Sequence, residues 1–572
     1  MTLPDPERKG ILELLDSKEP LTTSPFQRSF AWGRAEVDDF WTDLKRALDI
    51  IGGSADYFLG LVVLDDKDHI QDGQQRLAIT LLLSSEIYQA VENAKQAGSH
   101  DSQLAIDAAA PVLPALRQSP SAKLVISLQD QDVLLNRAGV ESDSPESAKR
   151  LAAARARLRT HLTNDLRDKT TPDSKLARLK QWGEYLRTAA YVVLLRVPPR
   201  DAHNIFETLN TRGVRLSNGD LVKSHLIGRS SDAVVAVAVA KWNQVTDTLK
   251  DSKGRYEDNL ESFLLHYFGS QYKRTTKSEF FEDYRRAVEA VDPLVALETL
   301  IANAKNYRAL VDPATSTAFW RGIGTGTQQA VELINGLGLK QLRYLLLAVL
   351  RDLGNGQKLS TRRKKQREAV LQIVSWSVRG LVDYRTVGGG EAERAYINAA
   401  AGIRDGSLNT VAKLRTFFQG RNMFISDDAL FKSKFLGFPW DRARSHTRAR
   451  AILLALEYQK IGAKAAVAPL DTLTVEHVLP QSPNAGEWQQ FTDEERAIYT
   501  YDIGNLLLVD GPSRANDLLG NQEWPAKKAL MKSWETRTPL TVAALKLAKW
   551  DKATIERRRI SLAKVAVAAW RP

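Results

Sequence analysis

A chain of 572 residues, 43% apolar and 26% charged, has a globular composition and the length for about two to four domains. It contains no cysteine, which excludes disulfides, cysteine-ligated zinc, iron–sulfur clusters and a thiol nucleophile, and fits a reducing cytoplasm. Eighty Lys and Arg against 68 Asp and Glu leave a net charge of +12, a modest excess that favours an anionic partner, nucleic acid first.

The first ten residues, MTLPDPERKG, carry no apolar targeting core, and the Ala/Val run at 233–240 is too short to span a bilayer, so no membrane partner is expected. SPFQRSFAW at 24–32 sets Gln27 and Arg28 between the aromatics Phe26, Phe30 and Trp32. An Arg fork fits phosphate, and Gln can both donate and accept. YFLGLVVL at 57–64 has strand length, and DDKD at 65–68 reads as a turn. DGQQR at 72–76 then stands at the entry to a long apolar helix. Backbone N–H groups at such a start, with Gly73 allowing close approach, can bind an anion, and Asp72 beside them can orient a metal or a water. Residues 86–190 are rich in Ala, Leu and Arg and read as a helical insertion.

YVVLLRV at 191–197 is a second strand candidate, stopped by Pro198 and Pro199. FETLNTRG and LSNGDLVK, at 206–213 and 216–223, add Glu207, Asn210, Arg212, Asp220 and Lys223. Residues 235–380 read as amphipathic helices, with loops expected at 380–393 and around 404–440. STRRKKQR at 360–367 reads as a solvated helix end. No Walker A or Rossmann fingerprint is present, so a nucleotide would need another architecture.

The sharper chemistry lies near the C-terminus. TVEHVLPQSP places Glu476 beside His477, with Pro480 ending the element. YDIGNLLLVDGPSRAND then supplies Asn505 at the start of an apolar strand, and Asn516. Cleaving a phosphodiester needs a base to activate water, a hard cation to stabilise the leaving oxygen, and something to orient the base. Glu and Asn oxygens suit Mg2+. Residues 471–520 hold nine acidic and two basic residues, and 521–572 hold four acidic and twelve basic ones. The first stretch suits metal binding. The second suits phosphate contacts or a solvated helical tail.

EHVLPQSP, GNLLLV and RAND together resemble the HNH (ββα-metal) nuclease signature. The resemblance implies His477 as general base, Glu476 and Asn516 as ligands of one Mg2+ (or Mn2+), and Asn505 as a brace for the loop that carries His477. Lys527 and Lys528 match lysines that commonly follow and would bind DNA phosphate. Glu stands where many HNH enzymes have Asp or His, and Asn where many have a final His. Both keep oxygen donors, which favours Mg2+ over Zn2+.

PFQRxFxW, then YFLG with DGQQR, then IFETLNTRG with DLVK resemble the N-terminal domain of GmrSD-type restriction enzymes, which has a ParB/sulfiredoxin-like fold and precedes an HNH-type domain. The resemblance implies restriction of foreign, often phage, double-stranded DNA, carrying glucosylated hydroxymethylcytosine or phosphorothioate. It also implies binding and hydrolysis of a nucleoside triphosphate (GTP, CTP, UTP or ATP) by Asp72, Gln74, Gln75 and Arg76, with Gly73, Gln27, Arg28, Asn210 and Arg212 around the pocket.

The fold expected is α+β and predominantly helical. An N-terminal ParB-like sensor domain spans 1–234 with its insertion near 86–190, a helical coupling region spans 235–400, and an HNH nuclease domain set in helices spans 401–572. One metal site cuts one strand, so a monomer is expected to nick, and double-strand breaks need a homodimer or paired nicks. Two rivals are a nuclease whose N-terminal domain only reads DNA, without working NTPase activity, and a ParB-like DNA-binding regulator with a vestigial nuclease. Retention of Glu476, His477, Asn505 and Asn516 argues against the second.

Overall fold

The apolar run YFLGLVVL forms strand β3 (Tyr57–Leu64) of a computed structural model that describes the chain apart from residues 1–5, 18, 24–28, 51–54, 98–100, 118–122, 127, 136, 138, 142–143, 198–216, 232, 253, 386–389, 441–445, 462–472, 513 and 535–537. With β1 (Glu7–Gly10), β2 (Leu21–Thr23), β4 (His69–Asp72), β5 (Leu124–Val125) and β6 (Ala190–Arg196) it builds a mixed sheet of order β1-β6-β3-β4-β2-β5. Beta3 runs parallel to β6 and antiparallel to β4. The turn between β3 and β4 is the DDKD segment: buried Asp65 accepts from the backbone N–H of Lys67 at 2.8 Å and of His69 at 2.9 Å.

Contacts divide the chain into two units, Met1–Glu261 with Phe281–Thr299, and Ser262–Phe280 with Leu300–Pro572. In the first, helix α1 (Gln74–Gln96) leaves β4 and packs among the helices Glu146–Asp165 and Pro172–Thr188. Polar ladders join these helices to the helix Arg34–Ile50. Asp38 accepts from Arg157 and His161, each at 2.6 Å, and the Arg157 guanidinium holds its carboxyl well below the usual carboxylate range. Asp165 accepts from Arg178 at 2.8 Å and from the Trp182 indole at 2.9 Å. The expected insertion is helical, but it also donates the two-residue strand β5, too short to leave a sequence pattern.

In the second unit the loop expected around 404–440 carries helices at Val411–Gln419 and Asp428–Gly437, and the one expected at 380–393 gives way at its end to the helix Gly390–Arg404. Caps and packing override the weak local pattern. Thr410 and Asp427 cap two of these helices, and Phe418, Phe431 and Phe435 are buried. Strand β7 (Leu473–His477) pairs antiparallel with β8 (Leu506–Asp510) as a separate hairpin. Around it lie α2 (Thr447–Ile461), α3 (Ala515–Leu519), α4 (Trp524–Ser533) and α5 (Lys552–Ala569). The described residues are dominated by helix, with two small sheets. Among the described residues no helix is long and apolar enough to cross a membrane.

Candidate functional site

Strand alternation decides what Glu476 and His477 can do, because neighbouring strand residues face opposite sides of a sheet. Glu476 lies opposite Leu507, and His477 opposite Leu506. Leu507 and Val509 belong to a core with Leu519, Trp524 and Met531, so Glu476 points into that core. The residue is 4% exposed, and its carboxylate meets the ammonium of Lys527 on α4 at 2.6 Å. Lys527 is completely buried and also donates to the His477 carbonyl at 2.9 Å. Burial pushes the Glu476 carboxyl up to about 7 against the pull of Lys527, and burial likewise draws the Lys527 ammonium down.

His477 turns to the other face, where α2 covers the hairpin. Its ring stands edge-to-face with His446 at 5.3 Å between centroids and with Tyr501 at 5.7 Å. Its Nε2 lies 3.4 Å from the Gln481 side-chain amide.

Asn505 is fully buried just before β8. Its Oδ1 accepts from the Leu479 N–H at 2.8 Å and from the Trp550 indole at 2.9 Å. Its Nδ2 donates to the carbonyls of Leu479 and Thr500, each at 2.9 Å. The side chain thus ties the segment after His477 to the loop before β8. Asn516, exposed on α3, donates its Nδ2 to the Val475 carbonyl at 3.0 Å, which stations its amide beside the middle of β7.

These donors fit a hard cation in kind: a carboxylate and an amide oxygen, with water left to complete the shell. The described residues contain no group of three or more His, Asp or Glu arranged to hold a metal. Lys527 already lies on one Glu476 oxygen, so a cation there would have to share that carboxylate.

The two lysines expected at phosphate are engaged inside the unit. Lys527 neutralises Glu476, and half-buried Lys528 donates to the Leu547 carbonyl at 2.7 Å. Much of the basic tail does the same. Arg558 donates to the carbonyls of Ile503 and Gly504, and burial lowers it to about 10. Arg559 pairs with Asp502 at 2.9 Å, and Lys552 with Glu495 at 3.4 Å.

In the first unit, DGQQR lies at the β4-to-α1 junction. Gly73 has φ +98°, and a Cβ there would come within 2.8 Å of Val62. Gln74 and Gln75 are buried. Gln75 accepts from the Ala31 N–H at 2.8 Å and donates to the Ser29 carbonyl at 3.3 Å, so DGQQR grips the end of the SPFQRSFAW segment. Arg76 donates to the Leu61 carbonyl at 3.1 Å, lies over Gly60, and is 3.9 Å from Asp72. Gln27, Arg28, Glu207, Asn210 and Arg212 lie outside the described residues. Asp220 closes a capping box with Ser217, and burial lowers the Lys223 ammonium.

His446 and Tyr501 escaped the motif reading because they are distant in sequence from His477 and match no spacing rule. Only the hairpin and the start of α2 bring them together.

Comparison with curated proteins finds no match. The family model described as GmrSD restriction endonuclease, N-terminal domain, matches residues 11–227, and the one described as GmrSD restriction endonucleases, C-terminal domain, matches residues 425–565. The two matches fall in the chain order that this enzyme type requires, one over the sheet bearing DGQQR and one over the hairpin bearing Glu476 and His477; the chain belongs to the GmrSD-type restriction endonuclease family.

Proposed function

We propose that this restriction endonuclease cuts DNA at the β7–β8 hairpin, with an HNH-type arrangement, under control of a nucleoside triphosphate bound at the ParB-like N-terminal sheet. The observation that supports the reading is the hairpin itself: β7 carries Glu476 and His477 side by side on opposite faces, Asn505 bonds to Leu479 just beyond His477, and Asn516 bonds to the Val475 carbonyl one residue before Glu476. His477 takes the proton from the attacking water. Asn505 fixes the segment after His477 through Leu479 and so sets where the imidazole stands. Glu476 and Asn516 would hold Mg2+ or Mn2+, which when bound supplies charge stabilisation of the leaving oxygen. Lys527 keeps the buried Glu476 charge compensated.

In this reading the protein belongs to a cytoplasmic anti-phage system. Its first 234 residues sense modified DNA, phosphorothioate or glucosylated hydroxymethylcytosine, residues 235–400 couple, and residues 401–572 nick one strand, with double-strand cutting left to a homodimer or paired nicks. The test is plasmid nicking with Mg2+ on unmodified, phosphorothioated and glucosylated DNA, each with and without GTP, CTP, UTP or ATP. Mg2+-dependent nicking that is lost in His477→Ala while nucleotide turnover persists is the expected result. Nicking that survives His477→Ala would sink the catalytic assignment.

One observation favours a second reading, in which the N-terminal unit only reads DNA. Gln75 and Arg76 both spend hydrogen bonds on backbone groups of their own unit. Absence of phosphate release from all four nucleotides, with and without DNA, would select it.

A further inference from the structure

The reading of His477 as a base leaves open what fixes the direction of its ring. A general base works only when its nitrogen is aimed at the water, and a strand end with a polar loop beyond it does not by itself select one ring orientation. Two aromatic side chains from separate elements meet the His477 ring. His446, at the entry to α2, lies 5.3 Å away with an interplanar angle of 68°. Tyr501, in the loop before β8, lies 5.7 Å away at 82°. Both geometries are edge-to-face and fall within the roughly 4.5–7 Å range at which ring pairs attract.

The backbone at both positions is anchored. The His446 carbonyl accepts from the Arg450 N–H at 2.8 Å, which makes His446 the first hydrogen-bonded residue of the α2 turn. Tyr501 lies between Thr500, whose carbonyl accepts from Asn505 at 2.9 Å, and Asp502, whose carboxylate accepts from the Gly504 N–H at 2.7 Å. Asn505 therefore ties the segment after the base to the residue that precedes one of the two rings. Its Oδ1 and Nδ2 bind Leu479 beyond His477, and its Nδ2 also binds the residue before Tyr501.

We propose that His446 and Tyr501 are positioning residues for His477, two ring walls that hold the imidazole in its working orientation. The proposal rests on the assignment of His477 as base, and it adds two residues that no motif supplies. Ring shape carries the role, so phenylalanine serves at either position and a small or aliphatic side chain does not.

The experiment compares His446→Phe, His446→Gln, Tyr501→Phe and Tyr501→Leu in the full chain, by plasmid nicking kinetics with Mg2+ and by NMR of 13C-labelled histidine. The chain has eight histidines, so the ring spectrum is sparse. His446→Gln and Tyr501→Leu are expected to lower kcat roughly 10- to 100-fold with KM little changed, and both Phe variants to stay within a few-fold of wild type. The His477 ring resonance, assigned by its loss in His477→Ala, shifts in Tyr501→Leu and much less in Tyr501→Phe. Unchanged kcat in the Gln and Leu variants, Phe variants as slow as these, or a His477 resonance indifferent to all four changes overturns the proposal. Nicking that survives His477→Ala overturns the base assignment instead. The resonance shifts, which need no activity, tell the two failures apart.

Discussion

Lys527 Nζ lies 2.6 Å from Glu476 Oε1, with the lysine side chain wholly excluded from solvent and the carboxylate nearly so. A lysine that reads in sequence as a phosphate contact is thus the internal counter-ion of the acid expected to bind metal. Removing one partner of a buried pair leaves an uncompensated charge, which costs far more than the pair contributes. Lys527→Met is expected to destabilise the protein by about 3–5 kcal/mol. Lys527→Met combined with Glu476→Gln should recover most of that loss while nicking stays absent. Urea denaturation of the two variants checks this, and equal instability of single and double variants would count against a paired role.

Asn505 permits a sharper substitution. Asn505→Asp keeps the shape, and its oxygens can still accept from Leu479 N–H and the Trp550 indole. The atom that donated to the carbonyls of Leu479 and Thr500 becomes a carboxylate oxygen facing two acceptors. The expected cost is at least that of Asn505→Ala, roughly 2–4 kcal/mol, with nicking lost in both. Thermal melts rank the two, and an Asp variant as stable as wild type would refute the bonding pattern.

Glu457 on α2 makes a pH-dependence test away from the candidate metal ligands. It is buried, accepts from the Leu540 N–H at 2.7 Å, and is pushed up to about 7 by burial. A carboxyl raised in the folded state binds more protons folded than unfolded between about 4.5 and about 7, so its contribution to stability falls as pH rises through that window. Glu457→Gln keeps the acceptor and removes the titration. The stability of Glu457→Gln relative to wild type should rise from pH 5 to pH 8, by on the order of 1 kcal/mol or more. Denaturation at the two pH values measures it.

At the N-terminal site, Gly73→Ala places a Cβ against Val62 and forces alanine into a left-handed conformation. The expected loss is about 1–2 kcal/mol, with weaker nucleotide binding as the DGQQR junction shifts. Gln75→Ala should loosen the 29–31 segment at a cost of about 1 kcal/mol. Proteolysis near residue 30 and nucleotide titration report both effects, and unchanged nucleotide affinity in both variants would separate DGQQR from nucleotide binding.

Much of this was legible in the chain. YFLGLVVL and YVVLLRV are long apolar runs with clear stops, and they are the paired strands β3 and β6. DGQQR reads as a turn into a helix, and Gly73 in a left-handed conformation makes that turn. What escaped depends on pairing and caps. Strands β1, β2 and β5 are too short to show alternation. The helices Val411–Gln419 and Asp428–Gly437 are short and draw on buried phenylalanines and two N-caps. At the hairpin, adjacency in sequence suggested that Glu476 and His477 share one environment. The register places them on opposite faces, one against Lys527 and the other among aromatic rings.

The acidic and basic halves of the last hundred residues carry charges of −7 and +8, and they close on each other through Glu476–Lys527, Asp502–Arg559 and Glu495–Lys552. In the proposed reading, a cutting hairpin built this way exerts little long-range pull on a polyanion. Its encounter with DNA is slow by default, and steering has to be supplied by another surface of the protein. For a nuclease of the proposed kind, an electrostatically quiet blade leaves control of the encounter to whichever surface supplies that steering.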